Sequence, residues 1–337
     1  MYPLDQGSWG PTVRIGNLRD KLAQLVDLDL VAGYRPARRA ALARYAFSGR
    51  LRGLDGIYVE SSTFLPAEAD IAFLALARAL GIPVLTYVRD AYQLFADYGV
   101  PRTLKGRLGI AAFRPMIRAL RAVSTRMAVP SAGLALALDL EDAILLPPGS
   151  PDPLDVPRRP DANRLLFVGD ARLPAQGADR LVAAVARARE TGTLVELALV
   201  CRPGQEPPGP LPAWAHVVRA EGARIAERLP GIIATVIPRP RNAYNDLALP
   251  IKLFDYLAYG RPLIVTDCTE QARVVASARA GLVTGDDPAA MADAISWVAG
   301  APPEQVARWS SNAAAAARAA SWKHRARQIV DVLRTAS

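Results

Sequence analysis

Cysteine and histidine are scarce in this sequence of 337 residues. Its two cysteines, Cys201 and Cys268, are far apart, which argues against a disulfide framework and a cysteine-based zinc site. Its two histidines, His216 and His324, are too few for a site built from several histidines. No apolar run approaches the ~20 residues that span a bilayer, and the first residues lack the pattern of a signal peptide. We therefore expect a cytoplasmic protein.

What the chain has in abundance is apolar side chains and basic charge. Hydrophobic residues make up 51% of it, which suffices for two buried cores and excludes disorder as the dominant state. With 41 basic against 32 acidic side chains, the formal net charge is +9. This excess favours an anionic partner: a nucleotide, a phospholipid surface or nucleic acid. No recognised nucleic-acid-binding motif accompanies the charge, so nucleic acid is not expected.

Short β-branched runs alternate with longer Ala-, Leu- and Arg-rich stretches, a pattern typical of βαβ units around parallel sheets. In the first half we predict strands at 29–33, 56–60, 83–88, 125–129 and 143–146, and helices at 16–26, 36–47, 67–80 and 104–122. In the second half we predict strands at 164–168, 195–200, 216–219, 232–237 and 263–266, and helices at 177–190, 250–259, 270–278, 288–298 and 321–334.

A proline-rich segment separates the two series, with six prolines between positions 147 and 160. Such a segment forms neither a helix nor a central strand, so we interpret it as a linker. The sequence predicts an α/β chain of two Rossmann-like doubly wound domains that face each other across a cleft, with ligands at the carboxyl ends of the strands. The predicted parts are an N-terminal domain, a linker, a C-terminal domain and a final helix that packs back toward the first domain, at 1–150, 151–162, 163–320 and 321–337.

The most informative stretch lies at 245–267. Pro250 suits a first helical turn, and Gly260 suits the position just after a helix. The resulting short helix presents free N–H groups and the positive end of its dipole, which suit a diphosphate. Lys252 adds positive charge, and Asp255 lies on nearly the same face and can accept hydrogen bonds from a ribose diol. On spacing alone, an ordinary capped helix with a surface lysine and aspartate is the simpler interpretation.

The run PIKLFDYLAYGRPLIVTD, followed by AGLVTGDDPAAMADAI, resembles the donor-binding half of retaining GT-B glycosyltransferases of the glycosyl transferases group 1 type (family 4). In that family a Pro-x-Lys-x-x-Glu-Tyr-x-Ala-x-Gly-x-Pro run binds the sugar nucleotide. By position, the resemblance implies that Pro250 and Lys252 meet the diphosphate or sugar. It also implies that Asp255 replaces the ribose-binding Glu. The chain departs from the pattern at Leu247, where many members have a second Glu.

The stretch LLFVGDARLPAQGADRLVAAV looks like the first strand and loop of the same domain. Gly169, just past the strand, lets the backbone approach a phosphate closely because it has no Cβ. Arg172 is the expected charge-assisted contact to the diphosphate. Gln176 stands where the family often has a Lys, and Lys252 is expected to compensate.

In the N-terminal half, YPLDQGSWGPTVRIGNLRDKLAQL resembles the family's Gly-rich loop. Gly7, Ser8 and Gly10 are therefore expected to face the transferred sugar or the acceptor, although a plain turn is equally compatible. The stretch GIPVLTYVRDAYQLFADYG places Arg89 and Asp90 where a strand ends. There Asp90 would orient or deprotonate an acceptor hydroxyl, and Arg89 would bind an anionic group. The alternative is that Arg89 and Asp90 form a pair that caps the next helix.

The family has an apolar strand ahead of the Gly-rich loop. Met1–Leu4 offers too few residues for a strand, and Pro3 donates no ladder hydrogen bond. We therefore expect that the first strand is truncated in this sequence and that the natural start lies upstream.

A basic stretch runs from Arg102 to Arg126 without an acidic residue, and leucines and isoleucines are interleaved with its arginines. This pattern is typical of an amphipathic helix that lies on an anionic membrane. Region 98–138 is therefore predicted to contact such a surface, at the inner face of the cell membrane. The alternative is a core-packed helix with a solvated basic face.

Taken with the resemblance, these features predict a glycosyltransferase that moves a sugar from a UDP- or GDP-sugar to a glycan, lipid-linked or cell-envelope polysaccharide acceptor, with retention. Lys252, Asp90 and Arg89 are the predicted catalytic residues. No cofactor is expected besides the nucleotide sugar, and no metal. One alternative is a non-catalytic GT-B-derived binding or scaffold subunit, which Leu247 and Gln176 favour. The other is a nucleotide-sugar 2-epimerase, which shares the fold but typically needs histidines in the cleft.

Overall fold

The structure is a computed structural model that describes residues 10–33, 35–61, 68–95, 103–155, 163–220 and 222–336. The chain divides into two compact units. The first comprises Met1–Gly149 with Trp322–Ser337, and the second comprises Ser150–Ser321. Each unit is built on a parallel β-sheet with helical connections.

In chain order, the first unit contains α1 (Gly10–Leu22), α2 (Arg35–Phe47), β1 (Ile57–Ser61), α3 (Glu68–Ala79), β2 (Val84–Val88), α4 (Leu104–Val123), β3 (Arg126–Val129), α5 (Ala132–Ala137) and β4 (Ile144–Leu145). The second contains β5 (Arg164–Val168), α6 (Ala178–Glu190), β6 (Glu196–Val200), β7 (Ala215–Val218), β8 (Ile232–Ile237), α7 (Ala243–Leu247), α8 (Ile251–Ala258), β9 (Leu263–Thr266), α9 (Thr269–Ala278), β10 (Gly281–Thr284), α10 (Pro288–Ala299) and α11 (Pro303–Ala319). The last helix, α12 (Trp322–Thr335), belongs to the first unit. Among the described helices, none is both long and apolar enough to cross a membrane.

The described strands of the first unit pair in the order β1-β2-β3-β4. Side chains alternate between the two faces of this sheet. Val84 and Val88 of β2 pack with residues of α3 and α4 in one hydrophobic core. Tyr87 lies on the opposite face, where the Arg14 guanidinium of α1 stacks on its ring. The sheet is therefore covered by helical residues on both faces.

One predicted element of this unit is wrong, and another has different bounds. Residues 29–33 were expected to form a strand, but they have no strand geometry, and Leu30 is 49% exposed. A short apolar run becomes a strand only when a pairing strand and a burying surface are available, which local sequence does not reveal. The first helix begins at Gly10 rather than Gly16. Pro11 is well suited to its first turn, where the N–H group has no partner within the helix.

The second unit has a six-stranded parallel sheet in the order β10-β9-β8-β5-β6-β7. From β5 the chain builds outward through β6 and β7, and then returns to the other side of β5 and builds outward through β8, β9 and β10. This doubly wound order confirms the predicted α/β class. Ligands of such sheets bind outside the carboxyl ends of the strands where the order reverses, which here lies between β5 and β8.

The proline-rich segment begins on the surface of the second unit. Ser150 Oγ donates to Phe254 O at 2.8 Å, and Leu154 N donates to Ala258 O at 2.8 Å. These bonds attach the start of the segment to α8. Residues 156–162, the remainder of the predicted linker, lie outside the described residues.

Gly177 sets how closely the start of α6 approaches the loop after β8. Its φ is +73°, and a Cβ built on it would lie 1.7 Å from Pro238 O. We expect Gly177→Ala to lower the free energy of unfolding by about 3 kcal/mol or more, because overpacking and a strained φ each cost about 1–3 kcal/mol. Urea unfolding followed by circular dichroism measures this loss.

Gly192→Ala is the matched control for that substitution. Gly192 also has a positive φ, +94°, but a Cβ there would meet nothing within 4 Å. Gly192→Ala should lower the free energy of unfolding by only about 1–2 kcal/mol, the cost of a left-handed backbone conformation for alanine. Equal losses in the two variants would contradict the assigned clash with Pro238.

Candidate functional site

In the second unit the first turn of α8 lies against the carboxyl end of β5. Lys252 Nζ donates to Val168 O at 3.3 Å and to Gln176 Oε1 at 2.8 Å. Gly169 follows β5 directly. The fold thus brings together Gly169, Gln176 and Lys252, all three noted from the sequence, at the point where the strand order reverses.

Lys252 is a largely buried cation. Its Nζ lies 4.7 Å from the centroid of the Phe167 ring. Burial, together with the nearby Arg239, lowers the pKa of Lys252 to about 7. Within the described ranges no carboxylate pairs with Lys252, and its hydrogen bonds go to neutral oxygens. An anionic ligand would therefore stabilise its charged form.

Arg239, which the sequence analysis missed, is a second cation beside Lys252. Its side chain is only 4% exposed and donates from Nη2 to Asn245 Oδ1, while its buried Nε has no hydrogen-bond partner. In the part of the chain that the structure describes, no carboxylate pairs with it either. Arg239 follows β8, the strand beside β5, so the signal that could have found it is the strand order rather than a local motif. Two neighbouring cations without a counter-ion favour binding of an anion.

Gly169 leaves space beside Lys252. Its φ is +152°, and a Cβ there would lie 3.4 Å from Gln176 Oε1 and 3.5 Å from Lys252 Nζ. Its own N–H donates to Val200 O at 3.0 Å. Gly169 therefore contributes room for a ligand rather than a hydrogen-bond donor to it.

Asp255 lies about one turn after Lys252 on α8. Burial raises the pKa of its carboxyl to about 7. No described residue donates a hydrogen bond to this carboxyl, so it is available to hydroxyl donors of a ligand. Pro250 occupies the N-cap position, and the unpaired N–H groups of the first turn follow it directly. Gly260, with φ +61°, follows the helix as predicted.

Arg172, the predicted diphosphate contact, pairs with Asp170 in the loop after β5. The two bonds are Nε to Oδ1 at 3.1 Å and Nη2 to Oδ2 at 2.8 Å. The arginine lowers the pKa of Asp170, and the carboxylate raises the pKa of Arg172. An ion pair with an exposed arginine is weak, so this one can open toward a stronger anion. The contact of Arg172 with a diphosphate stays a prediction.

In the first unit Arg89 and Asp90 follow β2 directly and pair with each other. Arg89 Nε donates to Asp90 Oδ2 at 2.5 Å, and the two side chains are 11% and 15% exposed. Of the alternative, an Arg89–Asp90 pair that caps the next helix, the pair is confirmed and the cap is wrong. The short 3-10 turn Tyr92–Leu94 comes one residue later and has no side-chain cap.

The glycine-rich stretch near the start of the chain is described only at its end. Gly10 is the first residue of α1, while Gly7 and Ser8 lie outside the described residues. The role of these three residues toward a sugar or an acceptor stays a prediction.

A buried charged cluster beside β1 has no counterpart in the sequence analysis. Arg14 Nε donates to Glu60 Oε1 at 2.9 Å, and Tyr58 OH donates to the same oxygen at 2.6 Å. Burial opposes the charge of Arg14, but Glu60, Tyr87 and Tyr58 together outweigh it and raise the pKa of the arginine. Burial, together with Arg14, lowers the pKa of Arg325 to about 10. Glu60 Oε2 is buried without a hydrogen-bond partner.

Residues 162–300, which contain the whole site around Lys252, match a family model described as glycosyl transferases group 1. Among curated proteins no sequence match is found.

Similar solved structures include a sucrose-phosphate synthase from Thermosynechococcus elongatus, 15% identical, with 97% of this chain and 94% of that chain covered at a TM-score of 0.62. An alpha,alpha-trehalose-phosphate synthase (UDP-forming) from Burkholderia vietnamiensis is 11% identical. The match covers 96% of this chain and 85% of that chain, with a TM-score of 0.58. TarM is 10% identical. The match covers 88% of this chain and 58% of TarM, with a TM-score of 0.61. At such identities the likeness shows the fold, which is GT-B. With the family match, it supports a GT-B glycosyltransferase.

Proposed function

We propose that the protein transfers a sugar from a nucleotide-sugar donor to an acceptor hydroxyl. The observation that supports this best is the pair of cations Lys252 and Arg239, which have no carboxylate partner in the described residues and lie at the reversal point of the sheet. The α8 N-terminus beside them adds unpaired N–H groups, and a diphosphate supplies the missing negative charge. Two similar proteins support the same conclusion: the trehalose-phosphate synthase from Burkholderia vietnamiensis is UDP-forming, and a structure of S. aureus TarM contains UDP.

In the proposed reaction the bond between the anomeric carbon and the diphosphate oxygen breaks, and a bond from that carbon to the acceptor oxygen forms. The diphosphate leaves with the bonding electron pair. Negative charge therefore grows beside Lys252 and the first turn of α8, which stabilise the transition state more than the bound donor. Asp255 accepts hydrogen bonds from the ribose hydroxyls. The acceptor proton passes to a base, for which Asp90, beside Arg89, is the candidate.

We further propose that the sugar is transferred with retention and without an essential metal, from a uridine or guanosine diphosphate sugar to a glycan or lipid-linked acceptor. Lys252, Arg239 and the helix dipole supply the positive charge that a metal would otherwise bring to the leaving group. The proposed location is the cytoplasmic face of the cell membrane, where such acceptors are reached.

Purified protein incubated with UDP- and GDP-sugars in EDTA tests these proposals. We expect one donor class to raise the melting temperature by mass action, and nucleoside diphosphate to be released together with transfer to a glycan acceptor. Nuclear magnetic resonance of the product then gives the anomeric configuration. Release of a free 2-epimer would support an epimerase instead, and donor binding without turnover on any acceptor would support a binding subunit. Either result overturns the proposed transfer.

Donor affinity should follow a bell-shaped pH profile with its maximum near pH 7. Lys252 holds phosphate as a cation, and its pKa of about 7 means that this charge is lost as the pH rises. Asp255 accepts hydrogen bonds from hydroxyl groups best as a carboxylate. Because its pKa is about 7, it becomes protonated and binds the hydroxyls less well as the pH falls. Lys252→Met should remove the alkaline limb, and Asp255→Asn the acid limb. Calorimetric titrations at several pH values measure the profile, and a flat profile for the unaltered protein would contradict it.

A further inference from the structure

We propose that the solvent-facing side of α4 binds the surface of an anionic lipid membrane. This helix of 20 residues contains no acidic side chain. Phe113, Ile117 and Leu120 on its inner side are buried in the core of the first unit. The core therefore uses one face of α4 and leaves the other to solvent. The proposal does not depend on sugar transfer.

Leucines lie on the outer face, where a merely solvated helix would carry polar side chains. Leu104 is 74% exposed and Leu108 is 61% exposed. Ala111 and Pro115, both exposed, continue the same side of the helix at the spacing of successive turns. These four residues, the apolar stripe of α4, are available to a lipid interface.

Arginines flank the apolar stripe. Arg107 and Arg118 are exposed and have no carboxylate partner among the described residues. Arg114 and Arg121 are paired at 2.8 Å and 3.1 Å with acidic side chains of the segment after α5. Arg114, Arg118 and Arg121 also line a pocket of about 200 Å³ together with Asp139, and the three arginines outnumber this carboxylate. Positive charge is thus arranged beside apolar side chains along the same exposed face.

An anionic bilayer satisfies both parts of this surface. Its phosphates neutralise the arginines, and its interface takes the leucines out of water. An acidic protein segment or a nucleic acid would match the charge alone, with no use for the apolar stripe. The observations therefore favour a lipid surface over other polyanions.

Sedimentation of the full-length protein with vesicles tests the proposal. We expect binding to equal mixtures of phosphatidylglycerol and phosphatidylcholine, none to phosphatidylcholine alone, and weaker binding in added salt. Arg107→Gln/Arg118→Gln should lower the partition coefficient about 30-fold, the effect of two basic residues near a charged surface. Leu104→Ser/Leu108→Ser should lower it about 10-fold or more, because the apolar contribution is lost.

The matched control is Arg308→Gln/Arg318→Gln, which removes two exposed arginines from α11 in the second unit and should leave vesicle binding unchanged. Thermal melts establish that every variant is folded. Equal binding to neutral vesicles, or no binding to anionic ones, overturns the proposal. So does retained binding in the leucine variant together with binding to double-stranded DNA, which would identify a general polyanion surface.

Discussion

Lys252→Met should weaken donor binding about 10- to 150-fold, because a hydrogen bond to a charged group is worth about 1.5–3 kcal/mol. Turnover should fall further, since the charge on the leaving diphosphate is greatest in the transition state. Methionine keeps the apolar stem over Phe167 while removing the ammonium group. We therefore expect kcat/KM to fall about 1000-fold or more.

The stability of this variant separates binding from folding. Burial depresses the pKa of Lys252, so the charge is not stabilised in the free protein, and its removal should leave the free energy of unfolding unchanged or higher. Lys323→Met, on the exposed surface of α12, is the control and should alter neither binding nor turnover. Calorimetry and steady-state kinetics provide the measurements. Unchanged donor affinity in Lys252→Met would remove this lysine from the site.

Arg14→Met should lower the free energy of unfolding by about 3–5 kcal/mol, because it removes the cation that pairs with the buried carboxylate of Glu60 and leaves only the hydrogen bond from Tyr58. Such a loss is a large part of a total stability of about 5–15 kcal/mol. The side chain of Glu60 is only 10% exposed, so water cannot replace the guanidinium. Urea unfolding followed by circular dichroism measures the loss.

Two further variants make this expectation specific. Arg19→Met, on the same helix, breaks an ion pair with Asp20 whose side chains are 44% and 59% exposed, and it should cost less than about 1 kcal/mol. Arg14→Met/Glu60→Gln removes both charges and should recover part of the stability lost in Arg14→Met. A double variant no more stable than Arg14→Met would show that lost packing, rather than the unpaired charge, is the cause.

The segment around α8 could be predicted because its signals are local. Pro250 marks the start of the helix and Gly260 its end, and Lys252 and Asp255 lie between them at helical spacing. Five strands of the second unit could be located because each contains a short, largely apolar run, as expected for strands inside a parallel sheet. The sixth, β10, was not predicted, because it lies at the edge of the sheet and none of its residues is fully buried.

Arg239 and the Arg14–Glu60 pair could not be predicted because they depend on contacts between distant segments. Arg14 and Glu60 are 46 positions apart in the sequence. Arg239 can be assigned to the site only when it is known that β8 lies beside β5. The same limit explains the wrong strand at 29–33, since strand formation depends on a pairing partner.

Gln176 makes a contact that the comparison with the family pattern did not reveal. From the family pattern it looked like a missing cation for which Lys252 had to compensate. In the structure its Oε1 accepts a hydrogen bond from Lys252 Nζ at 2.8 Å. A lysine in the same place would set two ammonium groups against each other, so glutamine suits a site that already contains Lys252 and Arg239.

A crystal structure of the protein with UDP or GDP would show whether Lys252 and the start of α8 bind the diphosphate. We expect the diphosphate next to Lys252 Nζ and the first-turn N–H groups of α8, with the ribose hydroxyls at Asp255. A diphosphate bound elsewhere would contradict the claim. An example is the pocket lined by Arg202, Arg219 and Arg224 beyond β6 and β7, with Lys252 still bonded to Val168 O and Gln176 Oε1.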